Sequence, residues 1–315
     1  MTTAWVFPGQ GSQYVGMARD LYENFSDART VIDAADAVLG FPLSNLMFEG
    51  PEAELTDTLN AQPALLTHSI AALAAMQQAT NKSLPQPTLC AGHSLGEYSA
   101  LVAAGALDFA DGVRLVRARG EAMKRAGEIR PGAMAAILGL DDTNLMEICR
   151  ASGAVQVANF NAPGQIVLSG EKDALERAVE AAKQAGAKRA IVLAVSIASH
   201  SELMRPAVEQ FRVSVMTTPL QTPRVPVVSN VTARPLPDVN AIREEMLAQL
   251  TSAVQWVKSI EWMEAQGITE FLEIGPKDVL TGLNKRIVKN TTSRPLGTVE
   301  AINKFLAQPQ ELTHD

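Results

Sequence analysis

The segment Thr88-Leu-Cys-Ala-Gly-His-Ser-Leu-Gly96 decides the fold of this chain. Its first half is a short apolar run that predicts a buried strand, and a helical pattern begins at once around Leu95 and runs to Ala104. Between the two lies the pattern G-x-S-x-G, in which a sharp strand-to-helix turn lifts the serine oxygen clear of the backbone. Glycine and serine are also common in simple turns, but the strand–turn–helix context favours Ser94 as a nucleophile.

Outside this segment, strand and helix patterns alternate in the manner of an α/β protein. Ala4–Phe7 is a short apolar run that ends at a Pro-Gly turn, and Gln62–Thr80 is a helical pattern without glycine. Val225–Ser229 and Glu270–Ile274 are further strand patterns, each followed by a helical segment. Strands that alternate with helices along a chain usually pair in parallel. We therefore predict a parallel-sheet α/β core.

The middle of the chain has a different pattern. Its predicted elements follow the order strand, helix, strand, strand, helix, strand, which is typical of a ferredoxin-like unit. These elements are Met134–Leu138, Asp141–Ser152, Val155–Asn159, Gln165–Ser169, Glu171–Gly186 and Arg189–Val195. The predicted fold is therefore an α/β core formed by residues 1–127 and 204–315, with a ferredoxin-like (βαββαβ) subdomain inserted at residues 128–203.

Composition and charge exclude several classes of protein. With 47% apolar and 19% charged residues, the chain is typical of globular proteins that fold in water. No stretch approaches the roughly 18 consecutive apolar residues of a membrane span, and the first residues lack the features of a secretion signal, so we expect a cytoplasmic protein. Cys90 and Cys149 fit core thiols better than a disulfide framework or a metal site. The net charge of −7 argues against nucleic acid as the main partner.

A serine nucleophile at neutral pH needs a general base, most often histidine. His314 lies near the end of the chain, and His68 lies among apolar residues in a predicted helix. The side chain of His93 alternates away from that of Ser94. His200 remains, in a loop just after a predicted strand, where active-site residues are common.

No convincing acid completes a catalytic triad. The aspartates between the serine and the histidine all stand at predicted helix starts, where capping is their ordinary role. They are Asp108, Asp111, Asp141, Asp142 and Asp173. We therefore expect a Ser–His dyad whose histidine is oriented by something other than a carboxylate.

Arg119 lies on the unexpected face of its predicted helix, Ala110–Ala126. A helical projection puts Leu115, Val116 and Met123 on one face, and Arg119 falls in the middle of this apolar stripe. A buried guanidinium needs a partner, because an unpaired buried charge is costly. The partner is either an acidic side chain in a structural salt bridge or the carboxylate of a substrate. In the second case the arginine selects a dicarboxylic acyl group.

The loop Gly9-Gln-Gly-Ser-Gln13 follows the first predicted strand and invites comparison with dinucleotide-binding loops. The third glycine of that motif is missing, because Tyr14 stands in its place, and no second strand ends in an acidic residue at the expected distance. We interpret the segment as a tight loop whose backbone N–H groups form an oxyanion hole with that of Leu95.

Several motifs together resemble the malonyl-CoA:acyl carrier protein transacylases of fatty-acid synthesis. They cover nearly the whole chain in order and at similar spacing, which makes the set far more specific than G-x-S-x-G alone. The motifs are Phe7-Pro-Gly-Gln-Gly-Ser-Gln13, Gly92-His-Ser-Leu-Gly-Glu97, Arg119-Gly120, Asn159-Phe-Asn-Ala-Pro-Gly-Gln165 and Gly275-Pro-Lys-Asp-Val-Leu-Thr-Gly-Leu-Asn-Lys-Arg286. The resemblance implies an α/β-hydrolase-like core with an inserted ferredoxin-like subdomain.

The resemblance also implies a reaction and a role for each site residue. A malonyl group passes from malonyl-CoA to the phosphopantetheine thiol of a transiently bound acyl carrier protein, in a ping-pong reaction that needs no cofactor. In this scheme Ser94 carries the malonyl ester, His200 is the base and Arg119 binds the free carboxylate. The backbone amides of Gln10 and Leu95 form the oxyanion hole.

The resemblance assigns the task of orienting the histidine to Gln255. The chain departs from the family nearby, because Ala198 and Ala253 stand where proline is usual, and Gly275-Pro-Lys-Asp278 replaces Gly-Pro-Gly-Lys. The segment Ile197-Ala-Ser-His200 is also similar to polyketide acyltransferases that accept methylmalonyl. The choice between malonyl and methylmalonyl therefore stays open at the level of the sequence.

Two other functions compete with transfer to a carrier protein. A serine esterase or thioesterase would use water as acceptor, but its triad acid, lipase-like loop and apolar pocket are not visible in the sequence. A non-catalytic docking module would have lost Ser94, His200 or Arg119, and all three are present. We expect a monomer that meets the acidic carrier protein through a basic patch. The candidates for this patch are Lys188, Arg189, Arg205, Lys285 and Arg286.

Overall fold

Two β-sheets, one parallel and one antiparallel, organise the chain. The structure is a computed structural model that describes residues 2–81, 84–195 and 197–307. Its strands are β1 (Thr3–Phe7), β2 (Leu89–Gly92), β3 (Ala133–Leu138), β4 (Val155–Ala162), β5 (Gln165–Gly170), β6 (Arg189–Val192), β7 (Val227–Val228), β8 (Glu270–Glu273) and β9 (Thr292–Pro295). Its helices are α1 (Arg19–Asn24), α2 (Ser26–Leu39), α3 (Leu43–Glu49), α4 (Glu52–Thr56), α5 (Thr58–Ala79), α6 (Gly96–Ala103), α7 (Phe109–Ile129), α8 (Asp142–Ser152), α9 (Lys172–Gln184), α10 (Arg205–Thr217), α11 (Val239–Ala248), α12 (Trp256–Ala265), α13 (Val279–Ile287) and α14 (Val299–Leu306), and a 3₁₀ turn spans Glu202–Met204.

The larger sheet is parallel throughout and has the strand order β7-β2-β1-β8-β9. Both of its faces are buried, since Trp5 of β1 belongs to one hydrophobic cluster and Val6 belongs to another. Phe7 pairs in register with Gly92, so the loops that follow β1 and β2 emerge side by side at the carboxyl edge of the sheet. The predicted parallel-sheet core is confirmed, and this edge positions the candidate site.

The second sheet is antiparallel and has the order β4-β5-β3-β6. Helices α8 and α9 cover one of its faces, where Leu145 and Leu175 share a hydrophobic cluster with Ile137 and Leu168. This strand order and the succession of strands and helices are those of a ferredoxin-like unit. The predicted type of subdomain is confirmed, while its boundaries at residues 128–203 remain a prediction.

Strand β4 joins the inserted sheet to the larger domain. Its residue Asn159 forms a parallel bridge with Val254, in the segment before α12. The N–H of Phe160 donates to the Val254 carbonyl (2.9 Å), and the N–H of Val254 donates to the Ala158 carbonyl (2.8 Å). Main-chain hydrogen bonds therefore fix the insert against the segment that follows α11.

Helices α5 and α7 pack closely against each other. Asp57 caps α5 by accepting a hydrogen bond from the N–H of Leu59 (3.0 Å), so the helix begins earlier than the predicted start at Gln62. On α7, Gly120 faces α5, and a β-carbon at this position would lie 2.8 Å from the carbonyl oxygen of Thr58. Because backbone fills this space, the absence of a side chain at Gly120 sets the separation of the two helices.

Neither a membrane span nor a metal cluster is found in the described part of the chain. No helix there combines the length and the apolar character needed to cross a bilayer. No group of three or more His, Cys, Asp or Glu side chains among these residues is arranged to hold a metal ion. Cys90 and Cys149 are buried free thiols, and burial raises the pKa of Cys149 to about 11, in agreement with the predicted core role.

Replacing Gly120 by alanine tests the contact between α5 and α7. Alanine gains about 1 kcal/mol of helix propensity, but its methyl group meets the Thr58 carbonyl, and overpacking of this kind costs about 1–3 kcal/mol. We expect the clash to prevail, so that urea unfolding gives a lower free energy of unfolding. Gly282→Ala is the matched control, because Gly282 lies within α13 with open space out to 4 Å around an added β-carbon. Equal stability of the two variants would contradict the packing argument.

Candidate active site

Ser94 occupies the tight turn between β2 and α6. Its backbone has a φ of 50°, in the left-handed region that residues other than glycine rarely adopt. A β-carbon on Gly92 would lie 1.9 Å from the carbonyl carbon of Gly96, and one on Gly96 would lie 2.0 Å from the carbonyl oxygen of Phe7. Since only glycine fits at either position, β1, β2 and α6 approach closely enough to hold the serine at the carboxyl edge of the sheet.

His200 is hydrogen-bonded to Ser94. The distance from Ser94 Oγ to His200 Nε2 is 2.8 Å, and the histidine is only 4% exposed. The other ring nitrogen, Nδ1, lies 2.8 Å from the carbonyl oxygen of Gln249 and 3.2 Å from that of Ser252. Carbonyl oxygens only accept hydrogen bonds, so Nδ1 carries the hydrogen and Nε2 is free to accept the serine proton.

Gln255 is placed differently from the role that the resemblance assigns to it. It stands at the start of α12, and its backbone N–H donates to the carbonyl of Asn230 (2.8 Å). Its side-chain Oε1 is buried without a hydrogen-bond partner in the described part of the chain. The groups that orient His200 are thus the backbone carbonyls of Gln249 and Ser252, because these carbonyls, rather than the Gln255 amide, face Nδ1.

The remaining described histidines are engaged elsewhere. His68 is fully buried in α5, where its Nε2 lies 2.8 Å from the Gly297 carbonyl and burial lowers its pKa to about 4. His93 points to the inserted subdomain, with Nε2 at 2.8 Å from Asn161 Oδ1 and its ring against that of Trp256. His314 lies outside the described residues.

Electrostatics keep the ring of His200 neutral. Burial is the main cause that lowers its pKa to about 3, and the positive charge of Arg119 acts in the same direction. Hydrogen bonds to the carbonyls of Gln249 and Ser252 oppose the shift. At physiological pH the imidazole is therefore in the form that accepts a proton.

Arg119 is buried beside Ser94, with 1% of its surface exposed. Its Nη1 donates to Gln62 Oε1 (2.8 Å), and its Nη2 donates to Gln249 Oε1 (2.9 Å) and to Ser94 Oγ (3.2 Å). Its Nε has no hydrogen-bond partner among the described residues. All of these partners are neutral oxygens, and no acidic side chain of the described residues is within salt-bridge distance of the guanidinium. The nearby Glu97 carboxyl acts on it only through a longer-range electrostatic interaction, which opposes the lowering of its pKa by burial. A buried cation held only by neutral groups is suited to an anionic ligand.

Glu97 and Gln249 connect these groups, although neither is among the site residues predicted from the sequence. The Gln249 side chain donates to Glu97 Oε1 (3.1 Å) and to the Ser94 carbonyl (3.2 Å). Glu97 Oε2 accepts from both the N–H and the side-chain amide of Asn230, at 2.7 and 2.6 Å. Asn230 in turn accepts a hydrogen bond from the N–H of Ser94 (2.7 Å). Glu97 belongs to the motif Gly92-His-Ser-Leu-Gly-Glu97, which is the one feature of the sequence that could have indicated its role. Asn230 and Gln249 belong to none of the motifs described above.

The N–H groups of Gln10 and Leu95 lie on the two loops at the carboxyl edge of the sheet. Neither N–H has an acceptor among the hydrogen bonds of the described residues. The loop of Gln10 packs against the turn that carries Ser94, since a β-carbon on Gly9 would lie 2.3 Å from the His93 carbonyl oxygen. Thr58 fixes the Gln10 side chain by donating to its Oε1 (3.2 Å). Two unpaired N–H donors next to a nucleophile can stabilise an oxyanion.

The sequence is similar to known acyltransferases along its length. The family described as acyl transferase domain matches residues 4–303. The chain is 47% identical to the malonyl CoA-acyl carrier protein transacylase of Salmonella typhimurium, over 97% of this chain and 99% of that protein. It is also 47% identical to the protein of the same name from Bacillus subtilis, over 95% of this chain and 94% of that protein.

Solved structures show the same similarity. The acyl-carrier-protein-S-malonyltransferase from Bartonella henselae superimposes with a TM-score of 0.93 at 44% identity, covering 97% of this chain and 98% of that chain. A malonyl-transacylase in complex with a type II PKS acyl-carrier protein superimposes with a TM-score of 0.92 at 43% identity, covering 96% of this chain and 98% of that chain. The similarity thus spans both sheets and the elements that carry Ser94, Arg119 and His200.

The low pKa of His200 predicts that its ring does not titrate near neutral pH. In ¹⁵N spectra of the histidine rings, we expect the signals of a neutral ring protonated at Nδ1, unchanged between about pH 5 and pH 8. His200→Asn removes these signals and so identifies them. Because the pKa is lower in the folded than in the unfolded state, where it is about 6.5, acid favours unfolding and stability falls as the pH drops below that value. A ring titrating near pH 6.5 would show that the site is solvated.

Proposed function

The chain belongs to the acyl transferase family, and its reaction is the transfer of a malonyl group from malonyl-CoA to an acyl carrier protein; we propose that the transfer proceeds through an ester on Ser94. His200 serves as the base and Arg119 binds the malonyl carboxylate. One observation carries the proposal: Ser94 Oγ lies 2.8 Å from His200 Nε2 and 3.2 Å from a buried arginine whose described partners are all neutral.

The first half-reaction forms the acyl-enzyme. Nε2 of His200 takes the proton of Ser94 as Oγ attacks the thioester carbonyl, and the N–H groups of Gln10 and Leu95 hold the oxyanion. The carbon–sulfur bond then breaks, and the imidazolium returns the proton to the thiolate of coenzyme A. The carbonyls of Gln249 and Ser252 hold the ring in the productive tautomer throughout.

The second half-reaction uses the same groups in reverse order. The phosphopantetheine thiol of the carrier protein gives its proton to His200 and attacks the malonyl ester. The same two N–H groups stabilise the oxyanion, and Ser94 leaves after it regains the proton. Microscopic reversibility makes one base sufficient for both halves, and the proposed chemistry requires no cofactor.

Arg119 accounts for the choice of a dicarboxylic acyl group. A guanidinium has five N–H donors in a fixed plane, and three of its hydrogen bonds here go to the oxygens of Gln62, Gln249 and Ser94. The malonyl carboxylate supplies the negative charge that these neutral partners lack. An acetyl group would leave the buried charge uncompensated, and this argument favours a carrier-loading transferase over a general esterase.

We also propose a transient complex with the carrier protein and a cytoplasmic monomer as the working form. Similarity to a transacylase solved with an acyl-carrier protein supports the first point. Among the basic candidates for docking, Arg205 is paired with Glu202 and Arg286 donates to the Pro163 carbonyl. The exposed candidates that remain for contact with an acidic partner are Lys188, Arg189 and Lys285.

Replacing Ser94 by alanine tests the nucleophile. We expect the wild-type protein to gain the mass of one malonyl group after brief exposure to malonyl-CoA, and to lose it when carrier protein bearing phosphopantetheine is added. Ser94→Ala should gain no mass, because no oxygen is left to form the ester. Ser99→Ala is the control, since Ser99 is a buried serine of the following helix. A malonyl adduct on Ser94→Ala would contradict the proposal, and release of free malonate without carrier protein would favour a hydrolase.

Replacing Arg119 by alanine tests the carboxylate clamp. Loss of a charge-assisted interaction should lower kcat/KM for malonyl-CoA by about 100-fold, or ~2.7 kcal/mol, and should shift preference toward acetyl-CoA. Arg117→Ala is the matched control on the same helix, because Arg117 donates to the Leu59 carbonyl (3.0 Å) and pairs with Glu121 (3.2 Å). An unchanged ratio of malonyl to acetyl transfer in Arg119→Ala would count against the clamp.

A further inference from the structure

Gln156 of β4 connects the two segments that hold the catalytic histidine. The base loop is residues 197–202, and the carbonyl segment is residues 249–252. The Gln156 side-chain Nε2 donates to the His200 carbonyl (3.2 Å) and to the Thr251 carbonyl (3.2 Å). Its Oε1 accepts from the N–H of Glu202 (3.2 Å). One amide group therefore binds the base loop at two points and the carbonyl segment at a third.

The base loop needs such support, because its backbone is strained at His200. The φ of His200 is 58°, in a region that costs an ordinary residue about 1–3 kcal/mol. Ser201 tightens the turn by donating its hydroxyl to the Ala198 carbonyl (2.7 Å). Gln156 binds the carbonyl oxygen of the strained residue itself, and so opposes relaxation of the peptide that follows the histidine.

The distance between the base loop and the carbonyl segment decides how His200 is aimed. Nδ1 reaches the carbonyls of Gln249 and Ser252 across this gap, and Nε2 reaches Ser94 from the opposite side of the ring. A small separation of the two segments would lengthen the bonds at Nδ1 and turn Nε2 away from the serine. Gln156 ties the His200 carbonyl to the Thr251 carbonyl through a single nitrogen.

The position of Gln156 is fixed by the backbone of its strand. Two residues further along β4, Ala158 accepts a hydrogen bond from the N–H of Val254 (2.8 Å). Strand β4 is thereby held against the same stretch of chain that carries the carbonyl segment. The Gln156 side chain is only partly exposed. A small displacement of the strand would therefore change the lengths of the hydrogen bonds that its amide group forms.

We propose that Gln156 is a positioning residue for the transfer reaction, which sets the separation between the base loop and the carbonyl segment and thereby the aim of His200. The proposal rests on the proposed function of His200 as the base. It gives the inserted subdomain a direct part in the chemistry, since a side chain of the insert determines how the base meets a nucleophile of the larger domain.

Gln156→Ala tests this role by removing all three hydrogen bonds. We expect kcat for malonyl transfer to fall about 10-fold with KM for malonyl-CoA unchanged, because the misaimed base slows the chemistry while the hydrogen bond from Arg119 to Gln62 on α5 keeps the guanidinium in place. Gln78→Ala is the matched control: Gln78 is also half-buried, and its Oε1 joins α5 to α2 by accepting from the N–H of Asp27 (2.9 Å). Gln78→Ala should keep the wild-type kcat at similar thermal stability.

Gln156→Glu is the second variant, and it preserves the size of the side chain. Its carboxylate still accepts from Glu202 but faces the carbonyl oxygens of His200 and Thr251 as a second acceptor, so kcat should fall at least as far as in Gln156→Ala. The isosteric change keeps the test decisive if the alanine variant does not fold. A wild-type kcat in Gln156→Glu would overturn the proposal.

The downfield ¹H signal of His200 Nδ1–H provides a readout that does not depend on turnover. We expect this signal to shift and to exchange faster with solvent in both Gln156 variants, and to stay unchanged in Gln78→Ala. An unchanged signal together with an unchanged kcat, or a loss of kcat that merely follows thermal stability, would overturn the positioning role. Failure of the wild-type protein to form a malonyl ester would instead refute the proposed function, and the two failures are thus distinguishable.

Discussion

The close crossing of three backbone segments at the carboxyl edge of the parallel sheet is the constraint on which the site depends. The loop after β1, the end of β2 and the start of α6 leave no room for a β-carbon at Gly9, Gly92 or Gly96. This packing holds Ser94 in a left-handed conformation, and the hydrogen bond from its N–H to Asn230 contributes to offsetting the strain. The proposed nucleophile, Ser94, is preorganised as a result, and the two loops bring the proposed oxyanion donors to the same edge of the sheet.

A single buried positive charge then sets the electrostatics of the pocket. Among the described residues, Arg119 donates hydrogen bonds only to neutral oxygens and lies over the ring of Tyr98, so an anion that binds directly would compensate its desolvation further. The same charge helps to lower the pKa of His200 and keeps that ring neutral. The proposed selection of the substrate by Arg119 and the proposed action of His200 as a base therefore share one physical source. The carboxyl of Glu97 is buried as well, and burial together with the nearby Glu245 raises its pKa. Its oxygens accept from Gln249 and Asn230 and do not bond directly to Arg119.

Site residues could be predicted from the sequence where a side chain interrupts a regular pattern or lies in a recognisable turn. Arg119 stood out because an arginine broke the apolar stripe of α7, and Ser94 stood out because its turn needs glycine on both sides. The orienting groups of His200 could not be found in this way, since they are backbone carbonyls of Gln249 and Ser252, and carbonyls are common to all residues. The role of Gln255 in orienting the histidine therefore stays a prediction.

Parts of the fold escaped prediction for related reasons. Strand β9 was missed because its four residues are exposed or only partly buried at the sheet edge and carry no alternating apolar pattern. Helix α14 was not predicted because it spans only eight residues, of which only Ile302 is buried. The alternation of strands and helices elsewhere was sufficient to predict both sheets and the insertion. Burial of one face of a strand or helix requires apolar residues at regular intervals, and this spacing is visible in the sequence.

The main-chain pairing of β4 with Val254 constrains how this molecule could be rebuilt. An inserted subdomain resembles a cassette that recombination could exchange at its two ends. Here a third attachment lies within the inserted subdomain. It has a defined register, since Ala158 and Phe160 both form main-chain hydrogen bonds with Val254 of the larger domain. A chimera joined correctly at both ends would still lose the pairing between β4 and Val254 if its equivalent of β4 differed in length by a single residue. Natural or designed hybrids must therefore inherit β4 and the segment before α12 as a pair.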